Sequence, residues 1–243
     1  MPKSIELGAD LNSVIAMNDT LMNRASSGLA VPLSAGTLTP STRLPFSACD
    51  CHMHVYADRF PVASGAQLTP PEASTSDDKR LQQRIGTTRT VLMTPSTYGT
   101  DNRCMLEGLL AIGSEACGVA VINGRESTAG LRRLDRLGVS GIRIKPSGGY
   151  LVSERHSVGD IALDTLARSY ITTAPEHIVG GSDWPHATAT AGVQPMPDDV
   201  RQVDRLVDWT GNAATLQRVL VDNPQVLYGF PITPLIVSER KLT

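Results

Sequence analysis

The chain has 243 residues, 41% of them hydrophobic, with 22 basic and 24 acidic side chains giving a net charge of −2. That is enough to bury a sizeable core in one large or two small domains, and the interspersed charges offer neither a basic face for nucleic acid nor a polybasic run for an anionic membrane. No stretch approaches about eighteen consecutive apolar residues, and the N-terminus lacks the apolar run of a secretory signal, so a cytoplasmic protein acting on a small molecule is expected. The four cysteines, Cys49, Cys51, Cys104 and Cys117, are too few and too unevenly spaced for a disulfide framework, and reduced thiols are expected.

Residues 1–47 are rich in Ser, Thr, Leu and Pro with weak periodicity and read as an arm or linker outside the catalytic core. From Ala48 the pattern becomes short β-rich runs alternating with helical segments, which points to βα units around a parallel sheet. A strand is expected over Ala48–Val55. After a Pro/Ser-rich loop, DDKRLQQRIG reads as a helix with Asp77 or Asp78 as cap and Gly86 as terminator. TTRTVLMTP follows as a buried strand. Met105, Leu106, Leu109 and Leu110 then fall on one helical face, GVAVIN supplies a third strand, and a helix with Leu131 and Leu134 inward leads through Gly138 to a fourth strand in VSGIRIK. Beyond it, Leu163, Leu166, Ala167, Tyr170 and Ile171 form a helical stripe, HIVGGSDWP reads as a strand, and two helices run through Val200–Trp209 and Leu216–Val221. Residues 232–243 form a C-terminal tail.

Two stretches carry chemistry. In CDCHMHVY, residues 49–56, strand alternation puts Asp50, His52 and His54 on one face and Cys49, Cys51 and Met53 on the other. Two imidazoles at a strand end could meet a metal ion or a substrate carbonyl, whereas the same alternation separates the thiols from the histidines and speaks against a zinc knuckle of Cys49, Cys51 and His52. In GGSDWPH, Asp183 stands where a strand opens into a loop and could ligate a metal or take a proton from water; by itself it could equally be a turn cap. His156 lies in a polar loop, His177 precedes its strand, and His186 lies on the catalytic side with a rim role open to it.

These two stretches, with PSTYGTDNR after the second strand, GIRI in the fourth and DNPQVLYGF near the end, together resemble the amidohydrolase superfamily, and most of all its branch of lactonases acting on carboxylated ring compounds, over Ala48–Phe230. The resemblance implies an α/β, TIM-barrel-like (β/α) fold over residues 48–231, with His52 and His54 on the first strand and Asp183 on the last. It implies Asp183 as general base, Arg143 on a substrate carboxylate, and Ser96, Tyr98, Thr100 and Asn102 lining the pocket. Arg143 could instead salt-bridge a rim carboxylate, and Tyr98 could be only a loop anchor. A divalent metal such as zinc could be held weakly by His52, His54 and Asp183, although lactonases of this branch can also work without one. Lactone hydrolysis is therefore expected, with a decarboxylase of the same superfamily and a degenerate, non-catalytic binding protein as alternatives.

The chain departs from the family in length. Cys49 to Phe230 spans 182 residues (230 − 49 + 1), whereas a closed barrel takes at least about 200. Arg143 and Asp183, expected to end the fourth and eighth strands, are only 40 residues apart (183 − 143). Four βα units cannot fit there. The expectation is about six core strands, no counterpart of the family's mid-barrel histidine, and open edges covered by the arm or by another subunit in a homo-oligomer.

Overall fold

The computed structural model describes residues 29–121, 127–137, 139 and 161–230. The fourth strand, Arg143 and His156 lie outside these residues. Three strands, β1 (Cys49–Met53), β2 (Arg89–Met93) and β3 (Ala116–Val119), form a parallel sheet in the order β1-β2-β3. Its free edges are extended on both sides. Val139 bridges Gly118 in parallel. Beyond β1, Cys51 N donates to Gly180 O (2.9 Å), Asp183 N to His52 O (2.8 Å) and His54 N to Trp184 O (2.9 Å). Segment 180–184 therefore lies alongside β1, so the late part of the chain closes back on its first strand.

The strand expected in HIVGGSDWP does not form as a regular strand, and the sequence shows the cause. A Cβ on Gly180 would meet Leu206 and Leu220 side chains at 2.8 and 2.9 Å, so two helices press on backbone here, and Asp183 then turns into the left-handed region at φ 70°. β1 is also shorter than expected, ending at Met53.

Each early strand is followed by a helix. Helix α1 (Thr75–Ile85) is capped by Ser74, which accepts from Asp77 N while the Asp77 carboxylate accepts from Ser74 N; Gly86 closes it at φ 91°. The expected cap at Asp77 or Asp78 is thus displaced: Asp77 is the third residue of a capping box, and Asp78 is buried one turn in. Helix α2 (Arg103–Ile112) lays Gly108 on β2, where a Cβ would stand 2.7 Å from Leu92. It buries Cys104, Met105 and Leu109 but leaves Leu110 71% exposed, against the sequence expectation. After α3 (Thr128–Arg136) the described chain resumes at α4 (Ile161–Thr173). Of the expected α4 stripe only Ala167 and Ile171 are buried; Leu166 and Tyr170 are 51% and 49% exposed. Periodicity shows which residues could be covered, not how many neighbours arrive to cover them. On its polar side α4 is tied by Asp164, which accepts from Arg205 Nε (2.9 Å) and Trp209 Nε1 (2.7 Å). The short α5 (Ala187–Thr190) leads to α6 (Asp199–Thr210), and α7 (Ala213–Gln217) runs through a π turn into α8 (Asn223–Tyr228).

Three apolar clusters follow from this layering. One joins Met53 and Leu92 to Leu81, Ile85, Met105, Leu109 and Trp184, between sheet and helices. A second gathers Ile178, Leu206, Leu216, Val219 and Leu220. The third, with Cys49, Cys51, Val91, Cys117, Val179, Tyr228 and Phe230, lies on the opposite face of the sheet from Met53 and Leu92. Residues 29–47 are packed onto this body: Val31 and Leu44 enter the first two clusters, and Pro32 O accepts from Trp184 Nε1 (2.9 Å). All four cysteines are free and buried. Among the described residues no helix is long and apolar enough to cross a membrane.

Candidate functional site

The site begins with one extra residue in β1. Cys49 pairs with Arg89 and Asp50 with Thr90, but the next partner of Leu92 is Met53. Three steps along β1 therefore match two along β2, which is a β-bulge. Paired residues of parallel strands share a face, so Asp50 and Met53 point to the same side, and His52 and His54, flanking Met53, point to the other. The expected grouping of Asp50 with the histidines is thus overturned for Asp50. Cys49 and Cys51 pack together away from Met53, so the expected grouping of those three is overturned as well. An inserted residue resets the phase of period-2 alternation, and nothing in the composition of CDCHM announces it.

The turned-away Asp50 closes the bulge. Its Oδ1 accepts from His52 N (3.1 Å) and from Ser182 N (2.9 Å) across the strand gap. Ser182 Oγ in turn accepts from Trp184 N (3.0 Å). Burial raises the Asp50 carboxyl above its ordinary value, and the bonds from Ser182 and His52 work against that rise.

On the other face three side chains converge. His52 Nε2 lies 3.2 Å from His54 Nε2 and 3.2 Å from Asp183 Oδ1, and His54 Nε2 is 3.9 Å from the same oxygen. His54 Nδ1 lies 2.9 Å from Met93 O. A carbonyl only accepts, so His54 carries its proton on Nδ1, and in the neutral ring Nε2 presents a lone pair to the centre. Three acceptors would then face one another unless something positive joins them: the Nε2–H of His52, or a cation. Ligand atoms about 2.0–2.2 Å from a tetrahedral ion stand about 3.3–3.5 Å apart, close to the separations found here. The donor set fits a divalent ion such as zinc, and these three are the residues of that kind, among those described, whose ligand atoms come within 4.8 Å of one another. The cysteines are not among them.

The remaining expected site residues are placed as follows. Ser96 and Thr100 are exposed on the loop after β2. Tyr98 is buried; its hydroxyl accepts from Ala57 N (3.0 Å) and donates to Ala57 O (3.2 Å), and burial pushes the phenol up to about 12, so it is no base at neutral pH. Asn102 Oδ1 accepts from Thr94 Oγ1 (2.7 Å) and Val121 N (2.9 Å), while its Nδ2 donates to Val121 O (3.0 Å) and Thr100 O (3.2 Å). Both side chains brace this loop. His177 is exposed beside Glu176. His186 takes no place on the rim: it is fully buried, with Nε2 3.1 Å from Asp199 Oδ2. Asp199 also accepts from Ser34 Oγ, and Ser34 accepts from Arg84, so this buried network joins the arm, α1, α6 and the turn after Asp183. Sequence reading missed Asp50, the Met93 carbonyl and the Asp199 pairing; only Asp199, one residue into a capped helix, carried a sequence signal.

A family model described as amidohydrolase matches residues 49–160, which begin at this β1 motif. Residues 49–160 are thus similar to amidohydrolases. The chain is 35% identical over 106 residues to a 2-pyrone-4,6-dicarboxylate hydrolase of Comamonas testosteroni, covering 43% of this chain and 35% of that protein. The chain thus matches about a third of that relative's length. It is 22% identical over 273 aligned positions to a D-galactarolactone isomerase of Agrobacterium fabrum, covering 78% of this chain and 93% of the relative. Among solved structures an apo protein of Agrobacterium tumefaciens superposes with a TM-score of 0.72 at 20% identity, over 79% of this chain and 99% of that one. This likeness establishes the fold as α/β and TIM-barrel-like.

Proposed function

We propose that the chain is a lactone hydrolase acting on a carboxylated ring compound by activated water. The observation that carries the reading is the convergence of His52, His54 and Asp183 from the end of β1 and the segment 180–184 beside it, and the named activities of the relatives, both on lactones or pyrones, support it. In this reading Asp183 takes a proton from water, the resulting hydroxide attacks the lactone carbonyl, and His52 donates its Nε2–H to the developing oxyanion while His54, held by Met93, keeps the geometry fixed. Ring opening expels the alkoxide, which takes the proton held by Asp183 and so restores the carboxylate, giving a hydroxy acid or its keto tautomer. A bound divalent cation, held by His52, His54 and Asp183, would take the place of the His52 Nε2–H and would supply Lewis-acid polarisation and lower the pKa of water. Arg143 is assigned to the substrate carboxylate by a two-pronged charge-assisted contact. Ser96 and Thr100 offer hydroxyls from a loop whose shape Tyr98 and Asn102 maintain.

The proposal includes a barrel of about six core strands, because 40 residues from Arg143 to Asp183 hold too little chain for four βα units. It also includes self-association, which would cover apolar side chains left exposed on α4, Ile161, Leu166 and Tyr170. The test is purified protein, with and without added zinc, incubated with 2-pyrone-4,6-dicarboxylate and with a galactarolactone, following loss of the ring by absorbance and by acid release. Ring opening supports the reading. Release of carbon dioxide instead would assign a decarboxylase, and saturable binding without turnover would assign a binding protein.

A further inference from the structure

We propose that Asp50 is a positioning residue that holds His52 and Asp183 in one set by joining the β1 bulge to the Ser182–Trp184 turn. The inference rests on the reading of His52, His54 and Asp183 as the working group and adds to it a side chain that touches none of their reacting atoms.

Three observations carry it. A bulge leaves an amide without its ladder partner, and here two amides, His52 N and Ser182 N, turn to one buried oxygen, Asp50 Oδ1. These amides sit on the two segments that supply the site, one residue from Asp183 and on His52 itself. The neighbouring rungs, Asp183 N to His52 O and His54 N to Trp184 O, follow directly from that clamp. Without it, two buried amides would lose their acceptor, and the cheapest relief is slippage of the bulge by one residue, which would turn the histidines to the wrong face. The bonds need an acceptor on Oδ1 and make no use of Oδ2, which has no hydrogen-bond partner among the described residues. Asn therefore keeps the clamp and Ala removes it.

The test is amide hydrogen exchange on the full chain for wild type, Asp50→Asn, Asp50→Ala and, as a buried carboxyl outside the clamp, Asp78→Ala. In Asp50→Ala the amides of Asp183 and His54, whose own acceptors are untouched by the substitution, are expected to exchange at least about tenfold faster, while Thr94 N, bonded to Val119 O across β2 and β3, keeps its wild-type protection. Asp50→Asn is expected to restore the protection of Asp183 and His54, and Asp78→Ala to leave it unchanged. Should the alanine variant not fold, Asp50→Ser gives the same comparison, since its shorter hydroxyl cannot reach both amides. Zinc affinity measured on the same proteins is expected to fall about 10- to 100-fold in Asp50→Ala and to recover in Asp50→Asn. Wild-type protection of Asp183 and His54 in the folded alanine or serine variant would overturn the proposal, as would equal acceleration of Thr94 or failure of Asn to rescue. A wild-type chain that opens no lactone and binds no zinc would sink the proposed function and leave the exchange comparison fully readable.

Discussion

Replacing Asp183 with Asn separates its chemical from its backbone role. Asp183 sits at φ 70°, a region that Asn tolerates as well as Asp and that costs most other residues about 1–2 kcal/mol. Its amide donates to His52 O at 2.8 Å, a bond that any non-proline side chain leaves in place. Asp183→Asn should therefore unfold within about 1 kcal/mol of wild type, whereas Asp183→Ala should lose about 1–2 kcal/mol, or about 2–8 °C in Tm for a chain of this size. Activity should order differently. An amide oxygen cannot take a proton from water, and removal of a general base lowers rates by about 10²- to 10⁴-fold, equivalent to about 3–5 kcal/mol on the barrier. Lactone opening and thermal unfolding, measured on the same preparations, give both numbers. If Asp183→Asn retains turnover, the base lies elsewhere; if it loses as much stability as Asp183→Ala, the left-handed turn is not what the aspartate is there to hold.

Further outcomes are expected from the same geometry. Zinc in excess should raise the Tm of wild type and not of His52→Ala, because only a folded state with the complete donor set gains from binding. Asp78 is buried one turn into α1, and burial pushes its carboxyl up to about 8 from an ordinary 3.8; a folded-state value above the unfolded one means that its contribution is fully present below about 4 and is lost as pH rises to about 8. Tm measured from pH 5 to 8.5 should accordingly show a fall in wild type that Asp78→Asn flattens. Gly108→Ala should gain helix propensity of about 1 kcal/mol but drive a Cβ to 2.7 Å from Leu92 and 3.3 Å from Val55, and the overpacking, about 1–3 kcal/mol, should dominate as a lowered Tm. Ser74→Ala should cost about 1 kcal/mol through loss of the capping box.

The histidine pair and Asp183 were readable in the sequence because strand ends and residue chemistry point there whatever the exact register. Asp50 was not: alternation assigned it to the histidine face, and a single inserted residue between Asp50 and Met53 sent it to the helix side, where it acquired a different task. His186 shows the same limit. A histidine three residues past the aspartate of the candidate site looks like a rim group until Asp199, thirteen residues on, is seen to take it inside. The helices were legible in position but less so in orientation, as Leu110, Leu166 and Tyr170 show, since an apolar stripe does not report how wide a face its neighbours cover. Segment 178–183 hid its pairing with β1 because two glycines and a left-handed residue disguise an extended segment.

The arm residues around Pro32 and Ser34 have a consequence for handling the protein. The indole of Trp184, the residue after Asp183, finds its acceptor on Pro32, and the buried carboxylate of Asp199 finds one of its donors on Ser34. A protease nick or a shortened expression boundary near residue 40 would therefore not trim a dispensable leader. It would remove the acceptor of the Trp184 indole and one of the donors to Asp199, and preparations clipped there would lose the site before they lost the fold.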